Sequence, residues 1–317
     1  MRIAYWLGTQ LARELIVEGL RSVDGAEVVV IEGLADLLEA LPELDGLVLR
    51  NVPEAEAGQV CDVLRRPGRR LRWMHFVSAG REGFDAAGIP EDILVTGPDG
   101  ALAPTVAEHA MALLLAIGRQ LPACVEAGRS REWKRTMPAG VRSIEGQSLL
   151  VVGYGNIGRE IAKRAAAFGA RITVVTRSPR PDDLVSDVRP LGELRAALAE
   201  ADSVVIAIAL TETTKHLIGS AELAACKPGA HLVNVARGGI VDQRALVEAL
   251  RSGHIGAAGL DVVDPEPLPS DDPLWECPNV LITGHFAGAG SAFSAKRLAR
   301  SVVENAAKFV AGAGYVG

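Results

Sequence analysis

Cysteine is scarce and scattered: Cys61, Cys124, Cys226 and Cys277 lie far apart in 317 residues, with no Cys-x-x-Cys spacing. Such isolated thiols fit reduced core or surface side chains better than a disulfide framework or a structural zinc site, and no metal is expected. Long apolar runs are also missing. The longest, residues 110–117, falls well short of the about 20 residues that cross a bilayer, so no membrane span is expected. The opening Met1-Arg2-Ile3-Ala4-Tyr5-Trp6 lacks the basic, apolar and small-residue sections of a secretory signal, which gives a cytoplasmic location as the expectation. Neither sign of charge dominates. With 33 basic and 39 acidic side chains the net charge is −6, which offers no electrostatic reason for nucleic acid as a partner. The local cluster Arg65-Arg66 and Arg69-Arg70-Leu71-Arg72 reads as a solvated connector. There is no internal repeat. What is abundant is hydrophobic sequence, 49% against 23% charged, enough to fill a core and to exclude general disorder. At roughly 150 residues per domain, the length suggests two domains.

Short β-rich apolar runs alternate with helical patterns from end to end, the signature of parallel sheets covered by helices, so the fold class is α/β. In the first hundred residues the candidate strands are 3–7, 27–31, 46–49, 73–78 and 93–96. Residues 107–118 form an almost wholly apolar helix that must be buried, between domains or between subunits. A second series of six candidate strands follows at 148–152, 172–175, 203–207, 231–235, 256–260 and 280–283, which describes a doubly wound sheet. The last helix, 292–310, has Leu298, Val302, Ala306 and Phe309 on one face and no strand of its own, so it is expected to return to the first domain. Residues 311–317 read as a frayed end.

Gly153-Tyr154-Gly155-Asn156-Ile157-Gly158 matches G-x-G-x-x-G in the right context, after an apolar strand and before a helix with Ile157, Ile161, Ala165 and Phe168 on one face. The first glycine permits the tight turn, the second lets a pyrophosphate approach the backbone, and the third lets the helix pack on the sheet. Free amides at the helix start then hold the phosphates. The end of the next strand, where a carboxylate would accept hydrogen bonds from the adenosine ribose, has Thr176-Arg177-Ser178 instead, with Thr176 18 residues beyond Gly158. A guanidinium suits a 2′-phosphate by charge and forked donors, so Arg177 favours NADPH and leaves NADH possible.

Downstream come Val233-Asn234-Val235-Ala236-Arg237-Gly238-Gly239-Ile240-Val241-Asp242, Gly259-Leu260-Asp261-Val262 with Glu266-Pro267-Leu268, and Asn279-Val280-Leu281-Ile282-Thr283-Gly284-His285. With Ser78-Ala79-Gly80 and Val106-Ala107-Glu108-His109 they form an ordered set that resembles the D-isomer-specific 2-hydroxyacid dehydrogenase family over nearly the whole chain. The resemblance implies two doubly wound parallel-sheet domains. A Rossmann cofactor domain (99–287) would be inserted into a flavodoxin-like substrate domain (1–98 and 288–317), with closure over the substrate between them. It implies that His285 is the general acid/base, that Glu266 hydrogen-bonds its imidazole and fixes the tautomer, and that Arg237 binds the substrate carboxylate and polarises its carbonyl. It further implies cofactor contacts at Thr211, Val235, Ala236 and Asp261, backbone amides at Ala79 and Gly80 facing the substrate carboxylate, and Arg50, Trp275 and Phe286 lining the pocket. The other histidines, His75, His109, His216, His231 and His254, are expected to be satisfied core or surface groups. The family often has proline before the catalytic histidine, where this chain has Gly284.

The expected activity is therefore reduction of a small 2-keto acid by NADPH, with glyoxylate or hydroxypyruvate preferred by analogy, in a homodimer. Glu266 argues against the formate dehydrogenase branch, which usually carries glutamine there. Phosphoglycerate dehydrogenases often add a C-terminal regulatory domain and rank lower on that ground. Two alternatives stay open: a non-enzymatic, co-repressor-like dinucleotide sensor, and an NAD-dependent dehydrogenase of a bulkier 2-hydroxy acid.

Overall fold

The computed structural model of the chain describes residues 1–6, 12–133, 140–277 and 279–312. They group into two compact units, Met1–Leu102 with Gly290–Gly317, and Ala103–Ala289. Both divisions fall a few residues beyond those expected from the sequence.

In the first unit the chain runs β1 (Arg2–Trp6), α1 (Arg13–Arg21), β2 (Glu27–Ile31), α2 (Leu34–Ala40), β3 (Gly46–Leu49), α3 (Glu54–Leu64), β4 (Trp73–Phe76), α4 (Glu82–Ala87) and β5 (Leu94–Thr96). The strands form one parallel sheet in the order β2-β1-β3-β4-β5, the flavodoxin-like arrangement. Each central strand is buried on both faces, which is why its sequence is continuously apolar rather than alternating. One face packs on α2 and α3 through Leu37, Leu47, Val60, Leu64 and Phe76; the other holds Ile16, Leu20, Leu298 and Val302. The fourth strand ends at Phe76, two residues before the expected Ser78. Expectations for Leu7 and for residues 313–317 lie outside the described residues.

The second unit begins with α5 (Ala103–Gly118) and α6 (Leu121–Arg129). It continues through β6 (Ser148–Val152), α7 (Asn156–Ala167), β7 (Arg171–Thr176), β8 (Asp187–Pro190), α8 (Leu194–Glu200) and β9 (Ser203–Ile206). The remaining elements are α9 (Ser220–Ala225), β10 (Ala230–Asn234), α10 (Gln243–Arg251), β11 (Ile255–Leu260) and β12 (Val280–Ile282). Seven strands, not six, make the parallel sheet β12-β11-β10-β9-β6-β7-β8. The extra strand is β8, Asp-Val-Arg-Pro, whose polar and proline content hides it in sequence and is tolerated because it lies at the sheet edge. Helix α5 starts four residues before the expected Ala107 and packs on α7 and on β10 and β11 of its own unit. The order in which strands are added reverses between β6 and β9, which run parallel, and this is the topological switch point at which doubly wound sheets bind ligands.

Helix α11 (Ala292–Val310) belongs to the first unit and lies against α1 and β4. Its Ser301 and Asn305 donate to the Asp99 carboxylate at 3.1 and 3.2 Å, and Phe309 stacks on Trp73 with ring centres 5.3 Å apart. Among the described residues no single helix is long and apolar enough to cross a membrane.

Candidate active site

The glycine turn lies at the carboxyl end of β6, beside the switch point. Gly153 has φ +99°, and a Cβ there would sit 2.6 Å from the Ala207 carbonyl oxygen, so only glycine fits. A Cβ on Gly158 would overlap the Gly153 carbonyl oxygen, which is the close helix–strand approach the third glycine exists to permit. At Gly155 a Cβ would meet nothing within 4 Å. That open space, directly before the unpaired amides that start α7, fits a pyrophosphate group.

The neighbouring side chains are fixed by one another. Tyr154 is buried beneath Arg159, whose guanidinium carbon stands 4.5 Å from the ring centre and which also pairs with Asp182. Burial, and secondarily the Asp182 carboxylate, pushes the Tyr154 hydroxyl up to about 12. Asp182 is held below the ordinary carboxylate range by the Leu184 amide, then by Tyr154 and Arg159. At the end of β7, Thr176 is half-buried while Arg177, Ser178 and Arg180 are exposed. Asp182, the acid closest in sequence to this turn after Ser178, is thus already committed to protein donors.

Every other candidate of this unit follows a strand of the same sheet at its carboxyl end. Thr211, after β9, donates its amide to Thr214 Oγ1 at 2.7 Å, which closes that loop. Val235 and Ala236, after β10, are buried. Asn234, the fully buried last residue of β10, accepts from the Ala236 amide at 3.0 Å and donates to the Arg237 carbonyl at 2.9 Å. It staples the turn that presents Arg237, whose half-buried guanidinium donates to the Ala236 carbonyl at 2.6 Å. A polar residue closing the apolar run Leu232-Val233 was the signal for Asn234, and it was not given a role from sequence.

The structure brings His285 and Glu266 together: imidazole Nδ1 lies 2.7 Å from the Glu266 carboxylate, whose other oxygen accepts from the Val263 amide at 3.2 Å. Because a carboxylate only accepts, Nδ1 carries the proton in this bond and Nε2 is left for a reacting group. His285 is held in the left-handed region, with φ +55°. Asp261 is 2% exposed and organises this loop: its carboxylate accepts from the Thr283 hydroxyl at 2.7 Å, the Phe286 amide at 3.1 Å and the Ala287 amide at 2.9 Å. Trp275 is exposed on the short turn Pro273–Glu276, with its ring nitrogen donating to the Pro269 carbonyl at 2.8 Å, a bond that fixes the turn itself.

Arg50, Ala79 and Gly80 belong to the first unit, on loops at the carboxyl ends of β3 and β4. Asn51 locks these loops to each other, its amide donating to Ser78 Oγ at 2.9 Å and its side-chain oxygen accepting from the Gly83 amide at 3.1 Å. Ser78 Oγ in turn donates to the Gly80 carbonyl at 2.7 Å. Arg50 and Ala79 are exposed and Gly80 is buried.

A seven-stranded doubly wound sheet with this glycine turn defines a dinucleotide-binding unit. Residues 111–287 match the family model described as D-isomer specific 2-hydroxyacid dehydrogenase, NAD binding domain, and the chain belongs to that family. It is 37% identical over 277 residues to the D-3-phosphoglycerate dehydrogenase of Mycobacterium tuberculosis, covering 87% of this chain but only 51% of that protein, so it spans about half the length of that relative. It is 35% identical over 273 residues to the hydroxypyruvate reductase of Thermotoga maritima, covering 85% of this chain and 86% of the relative. A crystal structure of a D-isomer specific 2-hydroxyacid dehydrogenase family protein from Aeromonas salmonicida matches all of this chain and 98% of its own, with a TM-score of 0.85 and 30% identity.

Proposed function

We propose that the protein reduces a small 2-keto acid to the D-2-hydroxy acid, using NADPH in preference to NADH, with glyoxylate or hydroxypyruvate as the favoured substrates. The observation that carries this reading is the His285–Glu266 pair, with the imidazole Nε2 left available while Nδ1 is held 2.7 Å from the carboxylate. When bound, the nicotinamide supplies the hydride that adds to the keto carbon. His285, protonated on both nitrogens in the reducing direction, gives its Nε2 proton to the carbonyl oxygen as that bond forms and is left neutral with its proton on Nδ1, so the product leaves as an alcohol rather than an alkoxide. Glu266 keeps the ring aimed and its tautomer fixed. Arg237 takes the substrate carboxylate through its forked donors and polarises the adjacent carbonyl. The amides at Ala79 and Gly80, with Arg50, Trp275 and Phe286, are further substrate contacts of this reading.

On the cofactor side, the turn from Gly153 through Tyr154, Gly155, Asn156 and Ile157 to Gly158 holds the pyrophosphate. Thr176, Arg177 and Ser178 take the adenosine 2′-phosphate, and Thr211, Val235, Ala236 and Asp261 border the nicotinamide. NADPH preference is supported by the missing carboxylate at Thr176 and by the commitment of Asp182 to Arg159 and Leu184, which leaves the exposed Arg177 to set the local charge. The homodimer is part of the same proposal; sedimentation of the purified chain at twice its 33.3 kDa mass checks it.

The test is a set of initial rates of NADPH and NADH oxidation with glyoxylate, hydroxypyruvate, pyruvate and a bulkier 2-keto acid, together with reduction of NAD and NADP by D-3-phosphoglycerate. Fastest turnover with NADPH and a two- or three-carbon keto acid is the expected result. Faster turnover of D-3-phosphoglycerate overturns the substrate assignment, and faster turnover with NADH overturns the cofactor preference. Dinucleotide binding without turnover on any acid replaces the enzyme with a sensor.

A further inference from the structure

His109 was expected to be a satisfied core or surface group, and its ring reaches the loop that carries His285. It projects from α5, with Nε2 2.9 Å from Thr283 Oγ1 and 3.4 Å from the nearer Asp261 carboxylate oxygen. The Thr283 hydroxyl has a single proton, and that proton is given to Asp261 at 2.7 Å. His109 Nε2 must therefore donate to the hydroxyl oxygen, which sets its tautomer with the proton on Nε2. The chain of donors runs in one direction, from His109 through Thr283 to Asp261.

Asp261 is where the His285 loop is anchored. Its backbone carbonyl accepts the His285 amide at 2.8 Å, and its carboxylate accepts the two amides that follow, from Phe286 and Ala287. At 2% exposure the Asp261 carboxylate has lost its water and needs hydrogen-bond donors in its place, and the Thr283 hydroxyl is one of them. The need for such anchoring is visible in the backbone. A non-glycine residue at φ +55° is strained and persists only where its surroundings over-determine it. His109 also packs edge-on against Phe286, with ring centres 5.2 Å apart at 70°. It thus touches the loop on both sides of His285, at Thr283 and at Phe286.

We infer that His109 is a positioning residue for His285, holding the catalytic loop through the Thr283 hydroxyl and the Asp261 carboxylate. This rests on the proposed role of His285 as proton donor. A ring held loosely over the carbonyl oxygen still binds dinucleotide and acid, but spends less time where proton transfer and hydride transfer coincide. The loss therefore falls on kcat rather than on KM for the dinucleotide.

The experiment compares His109→Phe, which keeps the ring against Phe286 and removes the donor, with His109→Gln, whose side-chain amide restores a donor at similar reach, and with Thr283→Val. Expected are an about tenfold fall in kcat for His109→Phe and Thr283→Val, KM for the dinucleotide within about twofold, recovery to within about threefold in His109→Gln, and no further loss in the Phe/Val double variant. Wild-type kcat in His109→Phe, equal loss in His109→Gln, or additive losses in the double variant overturns the inference. If His109→Phe fails to fold, Thr283→Val decides by the same kinetic criteria. Should the wild type bind dinucleotide without turning over, it is the proposed function that fails. Positioning is then read without catalysis from the imidazole nitrogen resonances. His109 with its proton on Nε2, and a His285 Nδ1 signal that moves in His109→Phe but not in His109→Gln, support it, and an unmoved His285 signal overturns it.

Discussion

His285 and Glu266 limit each other: the carboxylate fixes which nitrogen carries the shared proton, and the imidazole gives the carboxylate a donor 2.7 Å away. Removing the imidazole should therefore remove proton transfer and little else. His285→Ala is expected to lower kcat by at least about a hundredfold, the scale of general acid catalysis, with the dissociation constant for NADPH within about twofold, as fluorescence titration would show. Turnover near the wild-type rate would refute the assignment. Arg177 is exposed and stands where a ribose-binding acid is missing, so its contribution should be confined to the phosphorylated dinucleotide. Loss of a charge-assisted contact of about 1.5 kcal/mol in Arg177→Ser would raise KM for NADPH about tenfold and leave KM for NADH within about twofold. An equal rise for both dinucleotides would place the arginine elsewhere. At Gly158 no side chain is tolerated, because even a methyl group overlaps the Gly153 carbonyl. Gly158→Ala should abolish dinucleotide binding in a titration even where the variant remains folded.

The functional groups are arranged by elements whose own stability is local. Helix α10, which follows the Arg237 turn, is started by Asp242, whose carboxylate accepts from the Ala245 amide at 3.1 Å. Its buried stripe of Ala245, Leu246, Val247 and Leu250 packs on the sheet core. Removing the cap in Asp242→Ala leaves an N-terminal amide without its acceptor and should cost about 1 kcal/mol by chemical denaturation. An unchanged midpoint would mean that water or a neighbour replaces the cap at no cost. Helix α5 has a different role: almost wholly apolar, it is buried against α7 and the sheet, and from it His109 reaches the loop that carries His285.

At the scale of the whole molecule each unit carries a histidine buried in neutral form. His75 in β4 is fully buried, its Nδ1 2.8 Å from Thr96 Oγ1, and desolvation, opposed weakly by Asp99, pushes it down to about 4. His231 in β10 is also pushed down to about 4, by burial first and by the Arg142 charge second. An unfolded histidine titrates near 6.5, so between that value and about 4 the unfolded chain binds protons that the folded units refuse. Stability is therefore intact above about pH 6.5 and falls as the pH drops toward about 4. The denaturant midpoint should decrease over that window while the ring-proton resonances of His75 and His231 in the folded protein stay constant down to about pH 5. Titration of either resonance near 6.5 would contradict the burial argument.

The sequence by itself determined the fold class, the position along the chain of most strands and the glycine turn, and its resemblance to a known family pointed to the three residues of the proposed chemistry. Those features are written in local pattern: apolar runs of strand length, glycines where a Cβ has no room, and motif residues at fixed positions after strands. It did not show β8, whose polar residues and proline suit an edge that pattern reading takes for a loop. Nor did it show Asn234 stapling the Arg237 turn, Asp182 committed to Arg159, or His109 reaching the His285 loop. His109 lies 174 residues from Thr283 along the chain, and their bond exists only because α5 is buried against β10, β11 and β12, strands contributed by the other end of the unit. A contact between side chains so far apart is decided by the packing of helix on sheet, and only the tertiary structure fixes which polar atoms that packing brings within hydrogen-bond distance.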